Sequence, residues 1–254
     1  AALIGRLEGV TKASLVTHAD DAMNVKGVHF YSQGRLRQLE RRARKLGQAA
    51  SSGQWVRLLR IAAWFETLRC RSGLQNAYGL GEQIAPSGSE PHSNVWVKYA
   101  HAVHQPSEAT LAAVDVKFPG SSIIFRSPIW HVLDLTRPLN GTADSLIASL
   151  SAPAQLEYFD TDSLTHGLFV PRRRPLRRTA AALVELSSLD ALAALVVMLR
   201  TAHEQRRSAR CFSIGREIHD CLLLVGQDSH VQLIAQDLYY YFSIHIFPLT
   251  QCRG

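Results

Sequence analysis

The stretch VWVKYAHAVHQPSEATLAAVDVKFPGSSIIFRSPIWHVLDL, residues 95–135, decides the fold class. Its apolar residues fall at helical spacing on both sides of the Pro106-Ser107 break. Ser93 stands where it can cap a helix carrying Val95, Trp96, Tyr99 and Val103, and Ser107 where it can cap a second carrying Leu111, Val114 and Phe118. Pro119-Gly120 ends that second helix, and Ser127-Pro128 opens a short one through IWHVLDL. Thr142 is placed to cap ADSLIASL before Pro153.

Working outward, the upstream run GRLRQLERRARKLGQAA sets Leu36, Leu39, Ala43 and Leu46 on one stripe and most arginines elsewhere, the pattern of an amphipathic helix. Ser51, Ser52 and Gly53 interrupt it. Trp55, Leu58, Leu59, Ala62 and Phe65 then resume the periodicity until Ser72-Gly73 stops it, which predicts a helical hairpin. Residues 1–34 are weakly patterned and define no element. Residues 73–91 are rich in Gly, Ser and Pro and read as a linker. Gly79, Gly81 and Gly88 have no preceding strand and no following Gly-Lys-Ser/Thr, as a phosphate-cradling loop would need.

Downstream, QLEYFDTDSLTHGLFVP alternates poorly and reads as a short strand or extended loop, and the prolines of PRRRPLRR resist helix and display its arginines on an extended segment. Three helices follow: 183–202 with a break at Ser187-Ser188, 214–225 after Ser213, and 231–242 after Ser229; FSIHIFPL reads as an alternative strand. The expectation is a mainly α fold: a basic N-terminal helical hairpin, a central helical hairpin and a C-terminal helical bundle, with room for a few short strands. The corresponding parts are 1–78, 92–150 and 179–254, which can also pack as one domain.

Tyr99, seven residues before Pro106-Ser107, together with Leu111 and Val114 after it, gives this segment a pattern that resembles the second half of a lambda-repressor-like helix-turn-helix domain, over about residues 94–118. The family's glycine, four residues before Pro-Ser, is here Ala102, and its acidic residue after the aromatic is Ala100. A left-handed helix end at Ala102 would cost a residue with a Cβ roughly 1 kcal/mol. The resemblance implies contacts to DNA from the helix around Ser93, Asn94, Val97 and Lys98. The other reading of the same residues is an ordinary helical pair with Trp96 and Tyr99 in the core.

A hydrophobic content of 46% with 19% charged residues is that of a folding globular chain, not a disordered one. The four cysteines, Cys70, Cys211, Cys221 and Cys252, form no CxxC pair and fit reduced thiols in a cytoplasmic setting. No leader is expected from AALIGRLEGV, and the apolar stretch 179–199 carries Glu185 and Asp190, so no membrane span is expected.

The net charge of +7 is concentrated in blocks. Between Arg35 and Arg71 ten Lys/Arg face only Glu40 and Glu66, and residues 171–178 add five arginines with no acid, whereas 72–170 hold nine acids against four bases. Such blocks suit a polyanion, because guanidinium forks match phosphate and counterion release supplies affinity. They equally suit a solvated helix face. The candidate nucleic-acid contacts are Arg35, Arg37, Arg41, Arg42, Arg44, Lys45, Arg57, Arg60, Asn94, Lys98, Arg172, Arg173, Arg174, Arg177 and Arg178.

Catalytic signatures are not found: there is no Gly-x-Ser-x-Gly elbow and no His-Glu-x-x-His. His101 and His104 share a helical face but lack a third ligand at a zinc spacing, and Asp160 with Asp162 is a pair of a kind common in loops. No cofactor and no metal is implied. The expected function is a non-enzymatic nucleic-acid-associated protein, with DNA or RNA as partner. The alternatives are an interaction subunit that meets an acidic protein or a second copy of itself, and a metal-dependent enzyme built on Asp160 and Asp162.

Overall fold

The computed structural model describes residues 41, 50–74, 77–84, 93–139, 141–228 and 231–251. Of the expected N-terminal run, residues 34–50, only Arg41, helical and exposed, and Ala50 fall among them; the rest of that run lies outside the described residues.

The helix at the centre, α1 (Ser52–Ser72), is specified at both ends. Ser51 Oγ accepts from the Gln54 amide at 3.3 Å while Gln54 Oε1 accepts from the Ser51 amide at 3.0 Å, a reciprocal capping box. Gly73, at φ 68°, supplies the left-handed turn that ends it. Trp55, Val56, Leu58, Leu59 and residues 61–68 are all buried, so α1 is enclosed on nearly every side through its middle.

Residues 77–84, read from the sequence as linker, form α2 (Ala77–Ile84). Two glycines weaken this helix intrinsically, by about 1 kcal/mol each. Tertiary packing offsets that: Leu80 is fully buried, and Gly81 lets the helix approach α3 (Ser93–Ala100) so closely that a Cβ there would stand 2.7 Å from Trp96 Cδ1. Trp96 stacks on Trp64 of α1 at 6.2 Å between centroids, and Tyr99 meets Trp64 edge-on at 5.5 Å. These aromatic contacts pin α3 to α1.

Beyond α3 the chain turns through Ala102 at φ 50°. The Ala102 amide donates to Tyr99 O at 2.8 Å and the Val103 amide to Lys98 O at 2.9 Å, the paired bonds of a Schellman ending, built on alanine where glycine would be unstrained. Ser107 caps α4 (Glu108–Lys117) as its position predicts. Two short helices follow, α5 (Ile123–Arg126), which the sequence did not signal, and α6 (Ile129–Leu133). The turn between α4 and α5 is held by the Asp115 carboxylate, which accepts from Ser121 Oγ at 2.8 Å and the Ser122 amide at 2.9 Å.

The expected strand or loop around 155–171 is mostly helical. After α7 (Ala143–Ala148) come α8 (Ala152–Tyr158) and α9 (Thr161–Thr165), and extended pairing is confined to one bridge between Phe159 and Pro171. Thr142 does not cap α7 with its side chain; its hydroxyl donates to Leu139 O instead. The C-terminal bundle is α10 (Leu176–Glu185), α11 (Leu189–Glu204) and α12 (Ser208–Val225), with Ser188 capping α11 at the expected break. Ser213 lies inside α12, not at its cap. The terminal segment is α13 (Ala235–Tyr241), a π turn at Phe242–Ile246 and a 3-10 turn at Phe247–Thr250 where a strand was the alternative. Phe242 and Ile246 are buried while Ile244 between them is 40% exposed; a strand would set all three on one face, whereas helical winding turns Ile244 away from the other two.

Among the described residues the fold is mainly α, with no strand beyond that bridge. Buried side chains from Trp55 to Ile246 belong to one continuous core. No helix among the described residues is long and apolar enough to cross a membrane.

Candidate nucleic-acid interface

The arginines divide by what their guanidinium groups touch. Arg60 is turned inward: its Nε donates to Phe125 O at 2.6 Å and its guanidinium lies 3.9 Å from the centre of the Phe125 ring. Burial pushes its pKa down, opposed by Glu108. Arg57, on the same helix, is exposed. Arg35, Arg37, Arg42, Arg44 and Lys45 lie outside the described residues. Lys98 is exposed on the last turn of α3, and Asn94 sits in the first turn of that helix.

The second block has a definite local geometry. The Arg174 amide donates to Arg172 O at 2.9 Å, closing a tight turn centred on Arg173, so the segment is not simply extended. Arg172 donates from Nε to Phe159 O at 2.8 Å and from Nη2 to Thr161 Oγ1 at 2.7 Å. Arg174 pairs with the Glu157 carboxylate at 2.7 Å and donates from Nε to Thr179 Oγ1 at 2.8 Å. These two side chains fasten the turn to α8, α9 and α10. Arg173 between them, and Arg177 and Arg178 on the first turn of α10, are exposed and have no side-chain partner among the described residues.

A third group was not singled out from the sequence. The reversal between α11 and α12 carries Arg206, at φ 55°, and Arg207, and the first turn of α12 carries Arg210. All three are exposed without a side-chain partner among the described residues. Phe212, on the second turn of α12, is 73% exposed. The run EQRRSARCF contained the signal, but over 204–220 the four arginines are nearly cancelled by Glu204, Glu217 and Asp220. The second group, at the start of α10, and the third, at the start of α12, stand on helices that pack on each other.

Immediately before the second block, Leu168, Phe169 and Val170 are 58%, 47% and 46% exposed, an apolar stretch held by the bond from the Asp160 amide to Val170 O.

Asp160 caps α9, and the Ser163 amide and hydroxyl hold its carboxyl below the usual range. His101 and His104 are both exposed, with His104 stacked on Tyr99 at 6.1 Å. Cys211 and Cys221 are buried, and burial pushes the Cys221 thiol up to about 12. Among the described residues no group of three or more His, Cys, Asp or Glu is placed to hold a metal ion. The chain matches no known protein-family model, no characterised protein and no solved structure.

Proposed function

We propose that the chain is a non-enzymatic nucleic-acid-binding protein that grips phosphates through outward-facing arginines of its C-terminal bundle. The observation that carries this reading is the turn at Arg173. Arg172 and Arg174 are fixed to the body of the protein, while Arg173, Arg177 and Arg178 face outward without an acidic partner among the described residues. Guanidinium groups displayed on a braced segment lose less freedom on meeting a phosphate than the same groups on a loose tail. The exposed Arg57 and the basic residues between Arg35 and Lys45 extend the reading to the N-terminal part.

The helix-turn-helix resemblance remains a proposal of the same kind. Lys98 and Asn94 on α3 are its base-reading or phosphate-positioning candidates, with Lys98 exposed while Trp96 and Tyr99 are buried.

A second reading, docking of an acidic protein, draws on the exposed Leu168, Phe169 and Val170 next to the arginines, since protein interfaces combine an apolar centre with arginine. The experiment that separates the two is binding of the purified chain to duplex DNA, single-stranded DNA and RNA across a salt series. Under the proposed reading, affinity falls steeply with salt. Charge reversal at Arg173, Arg177 and Arg178 then flattens the slope on duplex by up to about three, at roughly 0.9 for each phosphate left unneutralised. Absence of binding to every polymer at low salt refutes it.

A further inference from the structure

We propose that residues 168–171 form a docking edge for a protein partner, which adds to it as a short extended strand carrying acidic residues where it passes Arg173; this deepens the acidic-protein reading above and rests on it.

The segment that leaves α9 has its inner side occupied. The Leu168 amide donates to Ser163 O at 2.9 Å, Val170 O accepts from the Asp160 amide at 2.8 Å, and the Arg172 amide donates to Tyr158 O at 2.9 Å. These are alternate residues, so their backbones face α8 and α9, and the residues between them turn theirs the other way. Phe169 N–H, Phe169 C=O and Pro171 C=O have no partner among the described residues. The Phe169 ring stands 5.3 Å from the ring of the fully buried Phe159, which seats this edge on the core. Leu168, Phe169 and Val170 nevertheless keep much of their apolar surface in water. An apolar edge with open backbone groups is a template for another strand, and nothing among the described residues covers it. Pro171 has no N–H to give, so the edge aligns one short strand and does not extend into a sheet.

The flanks decide what that strand carries. Two residues past Pro171 the chain reaches Arg173, held in its turn by the anchored Arg172 and Arg174, and Arg177 and Arg178 follow on α10. At about 3.6 Å per residue at most, the Arg173 backbone lies within about 15 Å of Phe169, the length of a strand of about five residues. A second copy of the chain would bring the same arginines against themselves, and a nucleic acid offers phosphates, not an apolar row, to the three exposed side chains. An acidic peptide supplies everything the edge lacks: backbone groups for Phe169, alternate apolar side chains for its neighbours, and carboxylates for the guanidinium forks.

The test uses the full chain and a fluorescein-labelled peptide in which valine, threonine and tyrosine alternate between glutamate-rich ends, with polyglutamate as the control. The peptide is expected to bind saturably and more weakly as salt rises, and the Phe169 amide to become protected from hydrogen exchange. Phe169→Pro removes the outward N–H without taking a bond from the chain's own fold. It is expected to weaken peptide binding roughly three- to ten-fold more than Phe169→Ala, which loses the ring but keeps that N–H. Methylating one alternate set of the peptide's amides is expected to abolish binding and methylating the other set to leave it intact, because only one side of a strand faces the edge. Arg173→Glu is expected to weaken binding about two- to five-fold and to reduce its salt dependence. Equal binding of the two methylated peptides, or of Phe169→Pro and Phe169→Ala with unchanged thermal transitions, overturns strand addition while leaving an acidic partner on the arginines. Binding of polyglutamate but not of the alternating peptide does the same. Failure of both to bind at concentrations up to about 1 mM overturns the edge together with the acidic-protein reading. A wild-type chain that sediments as a dimer, with Phe169→Pro a monomer, assigns the edge to a second copy and overturns the acidic occupant.

Discussion

Replacing Arg200 by lysine should destabilise the protein almost as much as removing the charge. Arg200 lies on α11 and is only 5% exposed. Its guanidinium makes no ion pair among the described residues; it donates from Nη1 to Val132 O at 2.6 Å and Asp134 O at 3.4 Å, and from Nη2 to Arg137 O. One planar fork thus satisfies carbonyls of the segment that leaves α6, and ties that segment to the bundle. Burial lowers its pKa, an effect that the neighbouring Glu204, Tyr241 and Asp134 only oppose, so charge attraction is not the main gain. A hydrogen bond from a charged donor is worth about 1.5–3 kcal/mol. A lysine ammonium is a compact donor on a different stem and cannot span both Nη positions, so Arg200→Lys should lose one such bond and cost about 2 kcal/mol. Arg200→Met removes the buried charge but leaves every carbonyl unpaired, and should cost about 3 kcal/mol. Urea unfolding reads this as midpoint shifts of roughly 0.7 and 1 M at a slope near 3 kcal/mol/M, with the slope itself unchanged. If Arg200→Lys is as stable as the wild type while Arg200→Met is not, charge and not fork geometry holds the segment.

Two further outcomes follow from local geometry. Ala102→Gly should raise stability by about 0.5–1 kcal/mol and the thermal midpoint by about 2 °C, because relief of the left-handed alanine outweighs the extra freedom glycine brings to the unfolded chain; a lower midpoint would mean that the turn is not strained. The Asp115 carboxyl is pushed up by desolvation, but the hydroxyl and amide of Ser122, the hydroxyl of Ser121 and the charge of Arg126 together hold it below its ordinary value. Its contribution is therefore fully present above about pH 4, the unfolded value, and is lost as pH falls through the lower folded value. Asp115→Asn should accordingly be less stable than wild type at neutral pH, with the gap closing under acid; a gap that stays constant from about pH 7 to about pH 2 would refute the assignment.

Much of the architecture was legible because helix ends carry local chemistry. Ser51, Gly73, Ser107 and Ser188 act at the positions their residue types predict. What escaped depends on contacts far apart in sequence. Nothing within AYGLGEQI announces that Gly81 will lie against Trp96, and without that contact two glycines argue for a loop. The same holds for Gly215 inside α12: a Cβ there would collide with Thr250, so a residue that weakens the helix locally is required by the terminal segment crossing it. FSIHIFPL was ambiguous because β-branched and aromatic residues favour either state until neighbours choose the face that is buried.

Charge counting failed in a more instructive way, because a guanidinium serves a carbonyl as readily as a phosphate. Of the ten basic residues between Arg35 and Arg71, Arg60 binds Phe125 O, Arg69 binds Glu66 at 2.8 Å and Arg71 donates to Pro119 O at 2.6 Å. Arg60 and Arg71 fasten α1 to its surroundings and Arg69 is paired within α1, and the charge they add is not freely available to a partner. In PRRRP the sorting follows from backbone geometry. A three-residue turn throws its central side chain outward and sends the flanking ones back along the body, so Arg173 is displayed because Arg172 and Arg174 are anchored. Removing an anchor should therefore act on binding indirectly: Arg174→Ala frees Glu157 to face the displayed arginines and loosens the turn, so the charge withdrawn from a polyanion exceeds the one arginine deleted. Titrated with duplex at low salt, Arg174→Ala should bind at least as weakly as Arg173→Ala, and wild-type affinity in Arg174→Ala would show that the turn displays Arg173 without its anchor.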